Sequence, residues 1–168
     1  MSDEPKEEGL ESREIALWVP FLPPTENHIR VHRRQGGTTY SSKAKHYQIQ
    51  FAQYVRNEYL IPVSRFASNH TESSIYSLSL DFTFETVVNK GWYKNRAKTL
   101  YKRFDVGNRR KLIEDCIVNI LGKKIDDCLF FELNLTKRMG PNTGVKIVLR
   151  EINPKEYGVL NVNKLEHK

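Results

Sequence analysis

Two helix-period patterns set among four strand-like runs predict an α+β fold, a small mixed sheet of about four strands carrying two main helices. Three observations carry that expectation. The run YSLSLDFTFETV at 76–87 alternates Tyr76, Leu78, Leu80, Phe82 and Phe84 with polar residues, which is the period of a half-buried strand. After Ser41 or Ser42, either one a helix cap, KAKHYQIQFAQYVRNEYL spaces Ala44, Tyr47, Phe51 and Val55 by three and four. NRRKLIEDCIVNIL at 108–121 does the same with Leu112, Ile113, Cys116, Ile117, Ile120 and Leu121, and Gly122 is its stop. A chain of 168 residues suits a single core.

The remaining elements follow from breakers and alternation. EIALWV at 14–19 is a short strand ended by Pro20, and Pro62 is expected to end the first helix. LFFELNLTKR at 129–138 alternates through Leu129, Phe131, Leu133 and Leu135, GPNTG turns the chain, and VKIVLREI at 145–152 returns, which reads as an antiparallel pair. The order is therefore β, α, β, α, β, β. Residues 1–13 are expected to be a disordered acidic leader, 14–152 the folded domain and 153–168 a tail without a convincing period.

Hydrophobic residues make up 39% of the chain and charged ones 28%, so polar ends or a polar binding face must account for part of it. The net charge is +7, yet residues 1–14 carry −4, which leaves +11 on the remainder. A basic body of this kind attracts polyanions, nucleic acid foremost, and the acidic leader is placed to compete for that face. Cys116 and Cys128 stand in apolar patterns with no CxxC spacing and are read as core residues rather than zinc ligands. His28, His32 and His46 have no cage-like spacing. With no basic leader and no apolar run of membrane length, the expectation is a soluble, intracellular, cytoplasmic protein with no membrane partner.

Charge is concentrated around the second helix. Lys111, Glu114 and Asp115 are neighbours at helical spacing, Asp105 precedes the first turn, and Asp126 and Asp127 follow before the next strand. On spacing alone this is a solvated helix face with a capping charge and a turn. If the carboxylates converge instead, they form a site for a hard divalent cation of the kind used in phosphodiester hydrolysis. Spacing leaves open whether Asp126 and Asp127 fold back toward the start of the helix.

The motifs taken together resemble the RusA family of Holliday-junction resolvases, across about residues 14–152. That family runs Asp-x-Asp-Asn-x-x-Lys-x-x-x-Asp through a helix and then opens a strand with Asp-Asp. Here the positions hold Asp105, Gly107, Asn108, Lys111 and Asp115, then Asp126 and Asp127. The first strand, the Pro23-Pro24-Thr25-Glu26-Asn27 loop and the HIRVHRR segment before the first helix are similar too. The resemblance implies a homodimeric, Mg²⁺-dependent endodeoxyribonuclease of phage or prophage type acting on four-way DNA junctions, with Mn²⁺ as a substitute metal.

It further implies Asp105, Lys111 and Asp127 as catalytic residues, Asp105, Asp127, Asp126 and Asp115 as metal-binding carboxylates, and Asn108 in support. Gly107 departs from the pattern, for it stands where the family has its second metal-binding Asp, and Asp115 or Asp126 is expected to supply the missing oxygen. Phosphate contacts are expected from Arg30, Arg33, Arg34, Lys43 and Lys45, and from the basic segment 89–103 through Lys94, Arg96, Lys98, Lys102 and Arg103. That segment is longer than the family's usual connection. Its rings, Trp92, Tyr93 and Tyr101, are expected to cover a core edge or join subunits in preference to stacking on bases. Two rivals accompany this reading: a junction-binding protein that does not cleave, and a Mg²⁺-dependent nuclease of flaps or forks.

Overall fold

The computed structural model describes residues 13–24, 29–32, 36–94, 96, 98–102, 105–122 and 124–159, apart from the side chains of His32 and Asn108. The strands and α-helices of these residues follow in order: β1 (Glu14–Val19), β2 (Arg30–His32), β3 (Thr38–Tyr40), α1 (Ser42–Ser68), β4 (Ile75–Phe84), α2 (Gly107–Ile120), β5 (Phe130–Met139) and β6 (Gly144–Ile152). The main sheet is mixed and four-stranded, in the order β1-β6-β4-β5, and β2 and β3 form a separate two-stranded ribbon. This is the expected α+β architecture with two helices. The ribbon is an addition to the expected order, because three-residue strands are too short to show alternation.

The strand alternation sorts the sheet into two faces. Ile15, Leu17 and Val19 from β1, Tyr76, Leu78, Leu80, Phe82 and Phe84 from β4, and Val145, Ile147 and Leu149 from β6 are all buried in one cluster. The same cluster takes Ala44, Tyr47, Phe51 and Val55 from α1 and Leu112, Ile113, Cys116 and Ile117 from α2, so both helices cover one face. Opposite them, ion pairs such as Arg150 with Glu14 and Arg138 with Asp81 bridge neighbouring strands.

Three expectations about the elements are corrected. Pro62 does not end α1: the helix runs on to Ser68, and the break falls at Tyr59, whose φ of −133° is non-helical. The proline ring clashes with the preceding turn, so the chain yields three residues upstream and then resumes with Pro62 in the first turn of the new segment. The displaced Tyr59 is used, since its hydroxyl meets the backbone N–H and C=O of Trp18 at 3.2 and 3.4 Å. That contact engages the Trp18 backbone groups on the outer edge of β1.

The second correction concerns β5 and β6, which are not paired. β5 lies parallel to β4, and β6 is antiparallel to β4 on its other side, so the turn at 140–143 steps over the end of β4. Turn residues fix a reversal of direction but not which strand fills the gap. The third is Phe131, which is 47% exposed. The β4/β5 register passes from Tyr76↔Phe130 to Ser77↔Glu132, leaving Phe131 as the extra residue of a bulge and turning it out of the expected alternation. It packs there against Tyr157, in a one-turn 3-10 helix at Pro154–Tyr157 that opens the tail.

Gly144 marks the tightest approach in the sheet. A Cβ there would lie 2.5 Å from Cζ2 of Trp18 and 2.6 Å from the carbonyl oxygen of Val19. Gly144→Ala is therefore expected to destabilise the fold by about 1–3 kcal/mol through overpacking, read as a lower urea midpoint at unchanged slope.

Candidate active site

At the start of α2 the capping position is Val106, whose side chain has no oxygen to accept from the first backbone amides. Its other end closes on Leu121, and Gly122 follows at φ +75°, the left-handed conformation that reverses the chain. Ile125 is fully buried and anchors the returning segment, after which Asp126 opens a one-turn 3-10 helix with its Oδ1 accepting the Asp127 amide at 2.6 Å. The return answers what spacing left open. It brings the Asp127 carboxylate onto the Nζ of Lys111 in a direct ion pair and hydrogen bond.

Lys111 gathers more than one carboxylate. Asp115 Oδ1 lies 3.6 Å from the same Nζ and Glu114 Oε2 3.9 Å. Glu114 also receives Arg110 Nε at 3.2 Å. Glu114 is not part of a solvated face, as its spacing from Lys111 suggests; its side chain is only 7% exposed. Asp115 accepts a hydrogen bond from the Tyr40 hydroxyl, and the Arg30 guanidinium lies 5.6 Å from the Tyr40 ring centre. The ribbon of β2 and β3 is thus braced against the acidic face of α2.

Environment splits the carboxylates. The Lys111 hydrogen bond holds Asp127 below the ordinary carboxylate range. Burial raises Glu114, against the opposing pull of Arg110 and Lys111. Burial also raises Asp115, aided by repulsion from Asp127 and offset in part by Arg30. Cys116, beneath Asp115, is pushed up to about 12 by burial and is inert as a nucleophile at neutral pH.

Asp105 sits two residues before α2, and its Oδ1 lies 3.2 Å from where a Cβ on Gly107 would stand. Gly107, Lys111 and Asp115 follow one another at single-turn spacing along one face of α2. The Asp105 carboxylate therefore covers the turn that precedes Lys111. Arg109 is buried and donates to the carbonyl of Pro23, tying the Pro-Pro loop to the first turn of α2. Cys128, expected in the core, is exposed within the short 3-10 turn. Of the expected phosphate contacts, Arg30, Lys43, Lys45, Lys94, Arg96 and Lys98 are exposed, and Lys102 is half-buried with its Nζ 3.3 Å from the Thr86 carbonyl. Arg33, Arg34, Arg103, the side chain of Asn108 and residues 25–28 of the Pro-Pro loop fall outside the described residues.

Two contributing residues have no signal in the sequence, and a third, Glu114, is more buried than its charge suggests. Tyr40 and Arg109 reach the site through contacts 75 and 86 residues apart in the chain, and nothing local announces them. Glu114 had a signal, because it precedes the inward-facing Ile117 and Leu121 by three and seven residues.

The family model for the endodeoxyribonuclease RusA matches residues 20–150. The chain belongs to the RusA endodeoxyribonuclease family. No curated protein matches it. Within this family assignment the carboxylates and the lysine of α2, with the Asp-Asp turn that follows, form the candidate active site. Among the described residues no three His, Cys, Asp or Glu side chains are gathered as a metal cage. The donors around Lys111 are all carboxylate oxygens, which fits a hard cation that retains water and takes one or two protein carboxylates. Among the described residues no helix is long and apolar enough to cross a membrane.

Lys111→Met is expected to return Asp127 toward the ordinary carboxylate range, followed by carboxyl-carbon NMR titration. Because the depressed Asp127 contributes stability above its unfolded value and loses it as pH falls through the folded one, wild type and variant should differ most in thermal midpoint near neutrality. The two curves should converge in acid.

Proposed function

We propose that this protein is a Mg²⁺-dependent, structure-specific endodeoxyribonuclease that resolves four-way Holliday junctions by paired symmetric nicks. The observation that carries the reading is the meeting of Asp127 and Asp115 at the Lys111 ammonium, in a member of an endodeoxyribonuclease family. Asp105 and Asp127 would hold the ion, and Asp115 would complete the set in place of a side chain at 107. Asp126 suits that part less well, since its Oδ1 is engaged by the Asp127 amide and turns the chain. Mn²⁺, with the same preference for oxygen, would substitute.

When bound, the ion supplies Lewis-acid polarisation of the scissile phosphate and a water of lowered pKa. The chain's own groups do the rest. Lys111, 46% exposed on its side chain, can exchange a carboxylate partner for the phosphate and offset the charge that grows in the transition state. Tyr40 holds Asp115 in one rotamer, which lowers the entropic cost of assembling the site. Exposed Arg30, Lys43 and Lys45 provide sequence-independent phosphate contacts around it. A homodimer follows from the substrate: a four-way junction has approximate two-fold symmetry, so a C₂ pair of active sites cuts matching strands.

Purified protein incubated with labelled junction, fork, flap and linear duplex, in Mg²⁺ or in EDTA, tests this directly. Paired nicks confined to the junction and dependent on Mg²⁺ are expected. Binding without nicking would make it a junction-binding protein, and cleavage of forks or flaps alone a different nuclease. Lys111→Ala should lower junction cleavage by at least about 100-fold with affinity for the junction largely retained; wild-type cleavage would remove Lys111 from the mechanism.

A paired substitution tests which carboxylate completes the set. Asp115→Asn should raise the Mg²⁺ concentration for half-maximal cleavage, and adding Gly107→Asp should lower it again. Gly107 has no left-handed backbone, so the new side chain needs only a small shift of the Asp105 carboxylate.

A further inference from the structure

We infer that the segment between β4 and α2 is a base-stacking arm that takes unpaired nucleotides of a DNA strand on Tyr93 and Tyr101, with Trp92 alongside and phosphates on Lys94, Arg96 and Lys98. The inference deepens the nuclease reading and rests on it for the identity of the polyanion. Its basis is the arm itself. Tyr93 is 80% exposed, Tyr101 59% and Trp92 40%, and none of the three is among the buried residues of the core.

The arm is built to hold them out. Val88 pairs with Tyr101 in an antiparallel bridge, the Asn89 amide donates to Leu100 O at 2.8 Å, and the Lys102 amide donates to Val87 O at 2.8 Å. Asn89 Nδ2 adds a bond to Thr99 O at 3.1 Å. At the tip, the Trp92 amide donates to Asn89 O at 2.9 Å and the Arg96 amide to Gly91 O at 2.8 Å. Backbone ordered this way presents large rings at little further entropic cost, which is the property a stacking platform needs.

Charge selects the occupant. Between Thr86 and Phe104 there is no acidic residue, and Lys90, Lys94, Arg96 and Lys98 are all exposed. Exposed rings interleaved with cations suit a single-stranded polyanion whose bases offer π-faces, whereas a hydrophobic protein partner would gain nothing from the lysines. Position supports the same partner. Asp105 follows the closing residue Lys102 by three positions, a reach of at most about 11 Å, or roughly three base steps along a strand. A base held at the foot of the arm, on Tyr101, would therefore leave a phosphate a few steps along the strand near Asp105.

The test is binding by the full-length protein in EDTA, so that cleavage plays no part. Anisotropy would be measured with a labelled oligothymidine, a blunt duplex and a four-way junction, alongside fluorescence of 2-aminopurine placed beside the branch point. Tyr93→Ala and Tyr101→Ala are each expected to weaken oligothymidine binding by about 5- to 150-fold, the range of one lost stacking contact. Duplex affinity should change little, and Tyr93→Phe and Tyr101→Phe should bind as wild type does. Equal losses on duplex and single strand, failure of the Phe variants, or no loss at all would overturn the arm. So would a change of oligomeric state with unaltered DNA affinity, which would assign the rings to a subunit contact. A wild-type protein that binds single strands through these tyrosines and never nicks a junction would overturn the nuclease reading and leave the arm standing.

Discussion

The Lys111 ammonium is what allows three carboxylates to share one face of α2. Glu114 and Asp115 lie on the helix and Asp127 arrives from the returning chain, and without a cation between them each would raise the cost of ionising the others. The lysine resolves that conflict unevenly. It bonds Asp127 directly and keeps it ionised, while Asp115 and Glu114, more buried and farther from Nζ, feel the loss of water more than the gain of charge. The result is one carboxylate held anionic by the lysine beside two whose burial favours the protonated form.

That face exists because of how the chain is routed beyond the helix. Gly122 permits the reversal, and Ile125 contributes the apolar burial that keeps the return close to α2 when its charged neighbours favour solvent. The short turn at Asp126 then fixes which way Asp127 points before the chain enters β5. β5 runs parallel to β4, so α2 is the crossover helix of a β-α-β unit, and the proposed arm and the candidate site lie in the segments flanking it. One carries the arm, the other the aspartates. The β2–β3 ribbon closes the third side, with Tyr40 fixing Asp115 from outside the unit.

Much of this was legible in the residues, and the gaps have physical causes. Period alone located β1, β4, α2 and the start of α1 within a residue or three, because each has a buried stripe long enough to repeat. Pairing was not legible: β5 and β6 are adjacent in sequence, yet β4 lies between them, and nothing in GPNTG encodes that insertion. Pro62 misled because a proline can open a helical segment as readily as close one. At the site, the order of motifs named Lys111, Asp115 and Asp127, while Tyr40 and Arg109 depended on contacts made only by folding. Glu114 was legible in principle, since its phase with Ile117 and Leu121 outweighed its polarity.

Gly107 is best understood through the space it leaves. Its backbone is ordinary helix, so glycine is not demanded by conformation there, and at the first turn of α2 it forgoes both a side chain and a capping charge. What fills the space is Asp105, whose carboxylate rests against the bare turn. A side chain at 107 would press on that carboxylate and, if acidic, repel it. The glycine thus leaves room for a carboxylate from outside the helix beside its first turn, where the helix dipole favours an anion. Negative charge is then distributed along the face, with Asp105 ahead of Lys111, Asp127 opposite it and Asp115 behind. Gly107 leaves the motif one acidic position short, and the acidic side chains that remain are set around Lys111.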